Sequence, residues 1–356
     1  MIDSLAALRA LYPEVSARSR AKQIDRLDEA MRRFVAHAPL CVLASAGTGG
    51  ALLDASPRGG PPGFVQVLDE RTLLIPDATG NNRLDTLENL LADARVGLLF
   101  MVPGVDQVLR ANGTVWLVNS RGIVFGRDSR VDVGGLLAST LVILDEDLAS
   151  GRLLLSRSPN GSGALRAEGR ISAPDGSVVL VAPQLVQSGL VDARRIGLAA
   201  ATDVQVDVEG DGLIFFNARN DGSLDARLQQ LGTLRADGGL AELRAAARAG
   251  FADTVLNMDG IVQARSIGRR AGQIVIDGGS AGQTWVAGQL DASGSGADAR
   301  GGQVTVLGDR IGLAGSARLD ATGDAGGGAI RVGGDYQGAN PALRNATAVL
   351  VQPGAV

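Results

Sequence analysis

GALRA (163–167), GLVDA (189–193), GSLDA (222–226), GTLRA (232–236), GIVQA (260–264) and GQLDA (288–292) repeat one pattern: Gly, any residue, aliphatic, any residue, Ala. Period-2 alternation puts the aliphatic residue and the two small ones on one face of a short strand. A second phrase follows several of them: DGSVVLVA (175–182), GGLAELRA (238–245), GQIVIDG (272–278), GGQVTVLG (301–308) and GGAIRVGG (327–334). Recurrence every few tens of residues is the mark of a solenoid. No single coil can bury so thin an apolar face, so coils must stack, with parallel strands about 4.8 Å apart along the axis. From residue 112 onward the chain predicts a parallel β-helix. Coils of roughly 25 residues would number on the order of ten and form a rod of roughly 45–50 Å.

Composition agrees with this reading. The 356 residues include 50 glycines and 45% apolar residues, yet only 3% aromatics. The apolar mass is therefore Leu, Val, Ile and Ala, which pack in repeated thin layers, with Gly at the corners. Regular aliphatic positions and a net charge of −4 argue against disorder. Lys22 is the only lysine, and no basic stripe tracks along the chain, which argues against nucleic acid. A single Cys41 excludes a disulfide framework and a Cys-based zinc cluster, and a single His37 excludes a His-rich metal site. No run approaches the roughly 20 apolar residues of a membrane span. The start, MIDSLAALRALYPEV, carries Asp3 and lacks the basic-then-apolar order of a signal peptide, so the chain as written reads as cytoplasmic.

The first 110 residues have a different character. Ile24, Leu27, Met31, Phe34 and Val35 predict an amphipathic helix within 15–38, ended by Pro39. Leu40–Ser45, Gly63–Leu68 and Thr72–Pro76 read as short strands, with GTGGALLDASPRGGPPG and Asp69-Glu70 as the loops between them. Leu84, Leu87, Leu90 and Leu91 predict a second helix, and Val96–Val102 another strand. This is a small α+β module.

No constellation predicts catalysis. His37 closes a helix, which suits a structural role, and Cys41 opens an apolar run as a small core residue. Asp203, Asp207, Glu209 and Asp211 are the carboxylates a polysaccharide enzyme would need, but Asp207 and Glu209 alternate with Val206 and Val208 and project to solvent. Asp291, Asp298, Asp320 and Asp324 lie in turns without the strict spacing of calcium-binding solenoids. Trp116 reads as an aromatic cap on the first coil.

Two stretches carry resemblances. ANGTVWLVNSRGIVFGRDSRVDVGGLLAST (111–140), continuing through DEDLASGRLLLS (145–156) to about Val351, resembles the haemagglutination-activity domain of two-partner-secretion exoproteins, the filamentous-haemagglutinin type. That resemblance implies a right-handed parallel β-helix over 112–351 and export by an outer-membrane partner. It also implies an adhesive or structural exoprotein without catalysis, secreted or at the cell surface. Asn119-Ser120-Arg121-Gly122 stands where that family carries an Asn-Pro-Asn-Gly-type turn in its secretion region.

Residues 20–110, above all LDASPRG (53–59) and GNNRLD (80–85), resemble the pyridoxamine-5'-phosphate-oxidase-like split-barrel flavoproteins, truncated of their last strands. By that resemblance Ser56, Arg58, Asn81, Asn82 and Arg83 would contact FMN. The organisation expected is a truncated flavoprotein module over 1–108 followed by a β-helix over 109–356. An FMN-binding flavoprotein with a β-helical C-terminal fusion is the alternative function.

Overall fold

A computed structural model describes residues 24, 26–46, 53–68, 70, 72–76, 85–92, 95–114, 116–133, 135–143, 153–158, 161, 163–206, 216–341 and 343–356. Two compact units are present. One comprises Met1–Val42, Pro57–Thr79 and Leu99–Arg110; the other comprises Leu43–Ser56, Gly80–Leu98 and Ala111–Val356.

Helix α1 is Glu29–His37, and the Asp28 side chain caps it by accepting the Met31 N–H at 2.8 Å. Ile24 and Leu27 of the apolar pattern precede this helix, and residues 15–23 of the predicted stretch lie outside the described residues. Leu27 is buried ahead of the cap, and its N–H donates to the Glu70 carbonyl at 2.5 Å. Strands β1 (Leu40–Ala46), β2 (Leu53–Gly59), β5 (Arg95–Met101) and β6 (Val108–Thr114) form a four-stranded sheet in the order β2-β1-β5-β6. Strands β3 (Gln66–Val67) and β4 (Leu73–Leu74) pair as an antiparallel hairpin.

Strand β2 corrects the expectation of a loop across GTGGALLDASPRGGPPG (47–63). Its Pro57 lacks an N–H, which is tolerated because β2 lies at the edge of the order. Helix α2 (Asp85–Ala92) falls where the second leucine pattern predicted one. Thr86 Oγ1 donates to Asp54 Oδ2 at 2.7 Å, and Asn89 Nδ2 donates to Ser45 Oγ at 3.2 Å.

From Trp116 the chain winds as a right-handed parallel β-helix with three sides. The third side begins it, with β7 (Trp116–Val118). Side one holds β8 (Ile123–Phe125), β13 (Ala164–Ala167), β15 (Gln184–Gln187), β19 (Arg227–Gln230), β22 (Thr254–Met258), β25 (Gln283–Val286), β28 (Arg310–Leu313) and β31 (Ala348–Val351). Side two holds β9 (Arg130–Asp132), the first halves of β14 (Arg170–Val181) and β16 (Leu190–Ala200), then β20 (Thr233–Arg235), β23 (Ile261–Gln263), β26 (Gln289–Asp291) and β29 (Arg318–Asp320). Side three continues through β10 (Leu136–Ser139) and the second halves of β14 and β16. It ends with β21 (Leu240–Ala245), β24 (Gln273–Asp277), β27 (Gln303–Leu307) and β30 (Ala329–Val332).

Register is in phase from coil to coil, so like residues stack. On side two Ile171, Val191, Leu234, Val262, Leu290 and Leu319 form one inward ladder. On side three Val178, Ile196, Ala241, Ile274, Val304 and Ile330 form another. The core is one continuous cluster, running from Ile123 to Ala317. Burying it offsets the ordering of so many short turns.

Coil length is less regular than expected. The step is 20 residues from Ala164 to Gln184, but 27 to 29 through Arg227, Thr254, Gln283 and Arg310. Seven coils separate β8 from β31, about 34 Å of ladder at the usual strand spacing, fewer than the ten or so anticipated. Two insertions account for part of the difference. Strands β11 (Val142–Ile143), β12 (Leu153–Ser156), β17 (Asp203–Val206) and β18 (Phe216–Arg219) build an antiparallel sheet in that order. It covers the outer face of side three through a second core of Leu137, Leu141, Leu155, Val179, Val181, Ala199, Val204 and Val206.

Candidate functional site

The turn Asn119–Gly122 joins β7 to β8 at the first coil. Arg121 N–H donates to Asn119 Oδ1 at 3.1 Å, and Gly122 N–H donates to the Asn119 carbonyl at 3.2 Å. Asn119 is thus both start and clasp of the turn, the usual talent of an Asx side chain. Gly122 has φ +135, a region open to glycine. Ser120 accepts from the Gly163 N–H at 3.2 Å, so this turn is seated on the turn of the next coil. Arg121 points into solvent from a rigid base.

Of the residues expected at the flavin, Ser56 and Arg58 lie on one face of β2, both half-buried, with Asp54 on the same face. Asn81, Asn82 and Arg83 lie outside the described residues. Among the described residues Arg58 has no carboxylate partner, and its charge is felt by Cys41. Burial pushes the Cys41 thiol up, against the weaker pull of Arg58. An uncommitted, half-buried guanidinium suits a phosphate oxyanion.

The remaining candidates serve the scaffold. His37 Nδ1 donates to the Arg33 carbonyl at 2.7 Å on the exposed side of α1, and Cys41 is fully buried. Asp203 begins β17 and accepts from Thr202 Oγ1 at 3.0 Å, while Asp207, Glu209 and Asp211 lie outside the described residues. Asp291 and Asp320 each accept from the backbone and hydroxyl of the residue two places on, Ser293 and Thr322. Asp324 Oδ2 accepts from the Gly296 N–H at 2.7 Å. Among the described residues no group of three or more His, Cys, Asp or Glu is gathered for a metal, and no helix is long and apolar enough to cross a membrane. The side chain of Trp116 is outside the described part.

One polar cluster went unread in the sequence. Glu242 and Arg244 on β21 and Asp277 on β24 point outward from side three, yet Glu242 is buried. Arg244 Nε donates to Glu242 Oε1 at 2.6 Å and its NH1 to Asp277 Oδ2 at 3.3 Å. Alternation alone gives Glu242 an outward position, in register with Gly197 and Val275, and does not show that it is buried.

A three-sided stack of parallel strands with a clasped Asn-x-x-Gly turn at its first coil defines a β-helical solenoid domain. The TPS secretion domain family, that of two-partner-secretion exoproteins, matches residues 108–292, more than half of the chain, and the chain belongs to it. Residues 27–125 match the pyridoxamine 5'-phosphate oxidase family. Among solved structures the chain is similar to the HMW1 secretion domain from Haemophilus influenzae, with 24% identity and a TM-score of 0.59. That similarity covers 67% of this chain and 62% of the other, and it bears on the fold. No curated protein matches the chain.

Proposed function

We propose that this chain is a structural and adhesive fragment of a two-partner-secretion exoprotein, carried across the outer membrane by a dedicated partner transporter and without catalysis of its own. The observation that carries this reading is the family match over 108–292, lying on a β-helix in which the pairs Arg227–Asp253, Arg248–Asp225 and Arg265–Asp237 join successive coils. Asn119–Gly122 would be the feature offered to the transporter. The test places a cleavable export signal ahead of the chain and follows it with and without a two-partner transporter. Transporter-dependent release into the medium is expected, and retention in the periplasm in both cases overturns the export reading. Saturable binding of the purified chain to host or bacterial cells tests adhesion separately.

The match over 27–125 favours a second reading, in which residues 1–108 are an FMN-binding module ahead of a β-helix over 109–356. Ser56 and Arg58 would hold the FMN phosphate, and by the family resemblance Asn81, Asn82 and Arg83 would contact the flavin as well. Bound flavin would supply redox chemistry that no side chain here offers. Titration of the full chain with FMN decides this: saturable binding, lost in Arg58→Ala, supports it, and no binding removes it.

A further inference from the structure

We propose that the outer face of side one carries a carbohydrate subsite centred on Trp285, taking a neutral, flat pyranosyl glycan. In β25 the neighbours Thr284 and Val286 are buried, so Trp285 between them projects outward, where it is half-buried. In register along this outer column stand Gln229, Asn257, Trp285 and Gly312 on successive coils. Gly312 is what lets the indole lie down: a Cβ there would overlap the six-membered ring at Cε3 and Cζ3. The ring is therefore held against the backbone of the next coil and stays half-exposed.

A cover for the ladder would need only an aliphatic side chain, and the surroundings point elsewhere. The amides of Gln229, Asn257 and Gln283 and the indole N–H have no hydrogen-bond partner among the described residues. Planar amides free to bond, set around an aromatic face on a rigid sheet, match a sugar's alternation of C–H faces and hydroxyl edges. Coils recur every ~4.8 Å, similar to the length of one extended pyranose unit, so Asn257 and Gln229 can serve neighbouring units.

The cations nearby are engaged. Arg227 pairs with Asp253 at 3.3 Å, and Arg310 donates to the Ala252 carbonyl at 3.0 Å with Asp309 beside it. Among the described residues the free arginine of this column, Arg166, stands four coils from Trp285, so no free positive charge adjoins the indole, which favours a neutral sugar.

The subsite deepens the adhesive reading and rests on it for its biological use, while the binding itself is a property of the purified chain. The experiment uses the full chain carrying Trp116→Phe, which leaves Trp285 as the only tryptophan, since the sequence has two. Its fluorescence is titrated with cellotetraose, chitotetraose, maltotetraose and 3'-sialyllactose, and affinities are checked by calorimetry. At least one neutral tetrasaccharide is expected to saturate the signal. Calorimetric affinity should fall by about tenfold or more in Trp285→Ala, stay within about threefold in Trp285→Tyr, and drop in Asn257→Ala and Gln229→Ala.

Absence of saturation by every probe up to about 20 mM overturns the proposal, as does preference for the sialylated probe. Should Trp285→Ala fail to fold, the two amide variants decide, because they only shorten surface side chains; unchanged affinity in both overturns it. Cell adhesion without sugar binding sinks the subsite and spares the adhesive reading, whereas sugar binding without adhesion does the reverse.

Discussion

Gln187 and Gln230 lie fully buried, one above the other, in the inward ladder of side one, where the other coils place Phe125, Ala167, Met258 and Val286. Each donates to a nearby carbonyl, Gln187 to Gly189 at 2.7 Å and Gln230 to Gly232 at 2.8 Å. Gln230 Nε2 also reaches Gln187 Oε1 at 3.1 Å, while Gln230 Oε1 is left buried without a partner. Buried amides cost most when half satisfied. Gln230→Leu should thus destabilise by about 1–3 kcal/mol, because it orphans Gln187 Oε1. Gln187→Leu with Gln230→Leu should cost clearly less than the sum of the two single changes, as read from urea unfolding midpoints. Strict additivity would show that the two amides do not act as a pair.

Glu242 offers a pH test at the same scale. Burial pushes its carboxyl above the ordinary 4.5, outweighing the pull of Arg244. The folded state then holds this proton more tightly than the unfolded chain does. Below 4.5 both states are protonated and this group's contribution is fully present without a pH slope; as pH rises from 4.5 through the raised value, that contribution is lost. Glu242→Gln keeps an acceptor for Arg244 and removes the titration. Its stability should decline less than that of the parent between pH 4.5 and 8, and identical pH slopes would refute the assignment.

At the scale of elements, five glycines form a column just ahead of the strands of side two: Gly169, Gly189, Gly232, Gly260 and Gly288. Each carbonyl accepts from the next coil, as Gly232 does from the Ile261 N–H at 2.9 Å, and a Cβ on any of the last four would overlap the carbonyl oxygen beneath. The requirement is close approach of backbones rather than an unusual φ. Gly260→Ala should therefore cost about 1–3 kcal/mol, by overpacking. Gly126→Ala, where a Cβ meets nothing within 4 Å, should stay within about 0.5 kcal/mol of the parent in the same denaturation series.

This column is also why the β-helix could be read from the sequence. GLVDA, GTLRA, GIVQA and GQLDA all fall on it, and the second phrase falls throughout on side three. GALRA instead belongs to side one, and GSLDA precedes β19, because a local pattern states which face is buried and not which side of the coil it occupies. The antiparallel sheet over side three was hidden for a related reason. Leu153 to Ser156 and Asp203 to Val206 resemble coil strands, and only their distant pairing partners set them apart. Strand β2 was hidden by Pro57 and Gly59. The clasped turn at Asn119 was legible as a word, whereas the setting of Trp285 depends on Gly312, 27 residues away and visible only through register.

For the whole molecule, the consequential feature is the last coil. Strands β30 and β31 end their sheets, each paired with one strand only, whereas β29 is also met by Val356, whose carbonyl accepts from the Leu319 N–H at 2.7 Å. Val349 and Val351 are 45% and 57% exposed, while Ile311 and Leu313, their register partners one coil back, are 2% and 7% exposed. Ile330 on β30 is 46% exposed above fully buried Val304. The ladder therefore presents unpaired N–H and C=O groups together with an uncovered apolar layer, the combination that recruits further strands. The isolated chain should associate through this end as its concentration rises. A Val349→Lys, Val351→Lys variant should remain monomeric, because a charge on the open layer costs little where solvent already reaches it but must be desolvated once another strand docks. Sedimentation velocity across about 1–100 μM separates the outcomes, since an association this edge drives has a Kd in that range if it matters at working concentrations. Parent chain that grows heavier with concentration while the variant does not would place the contact at β31. Equal growth in both would move it elsewhere, and two monomers would mean that the turns around the last coil already protect it.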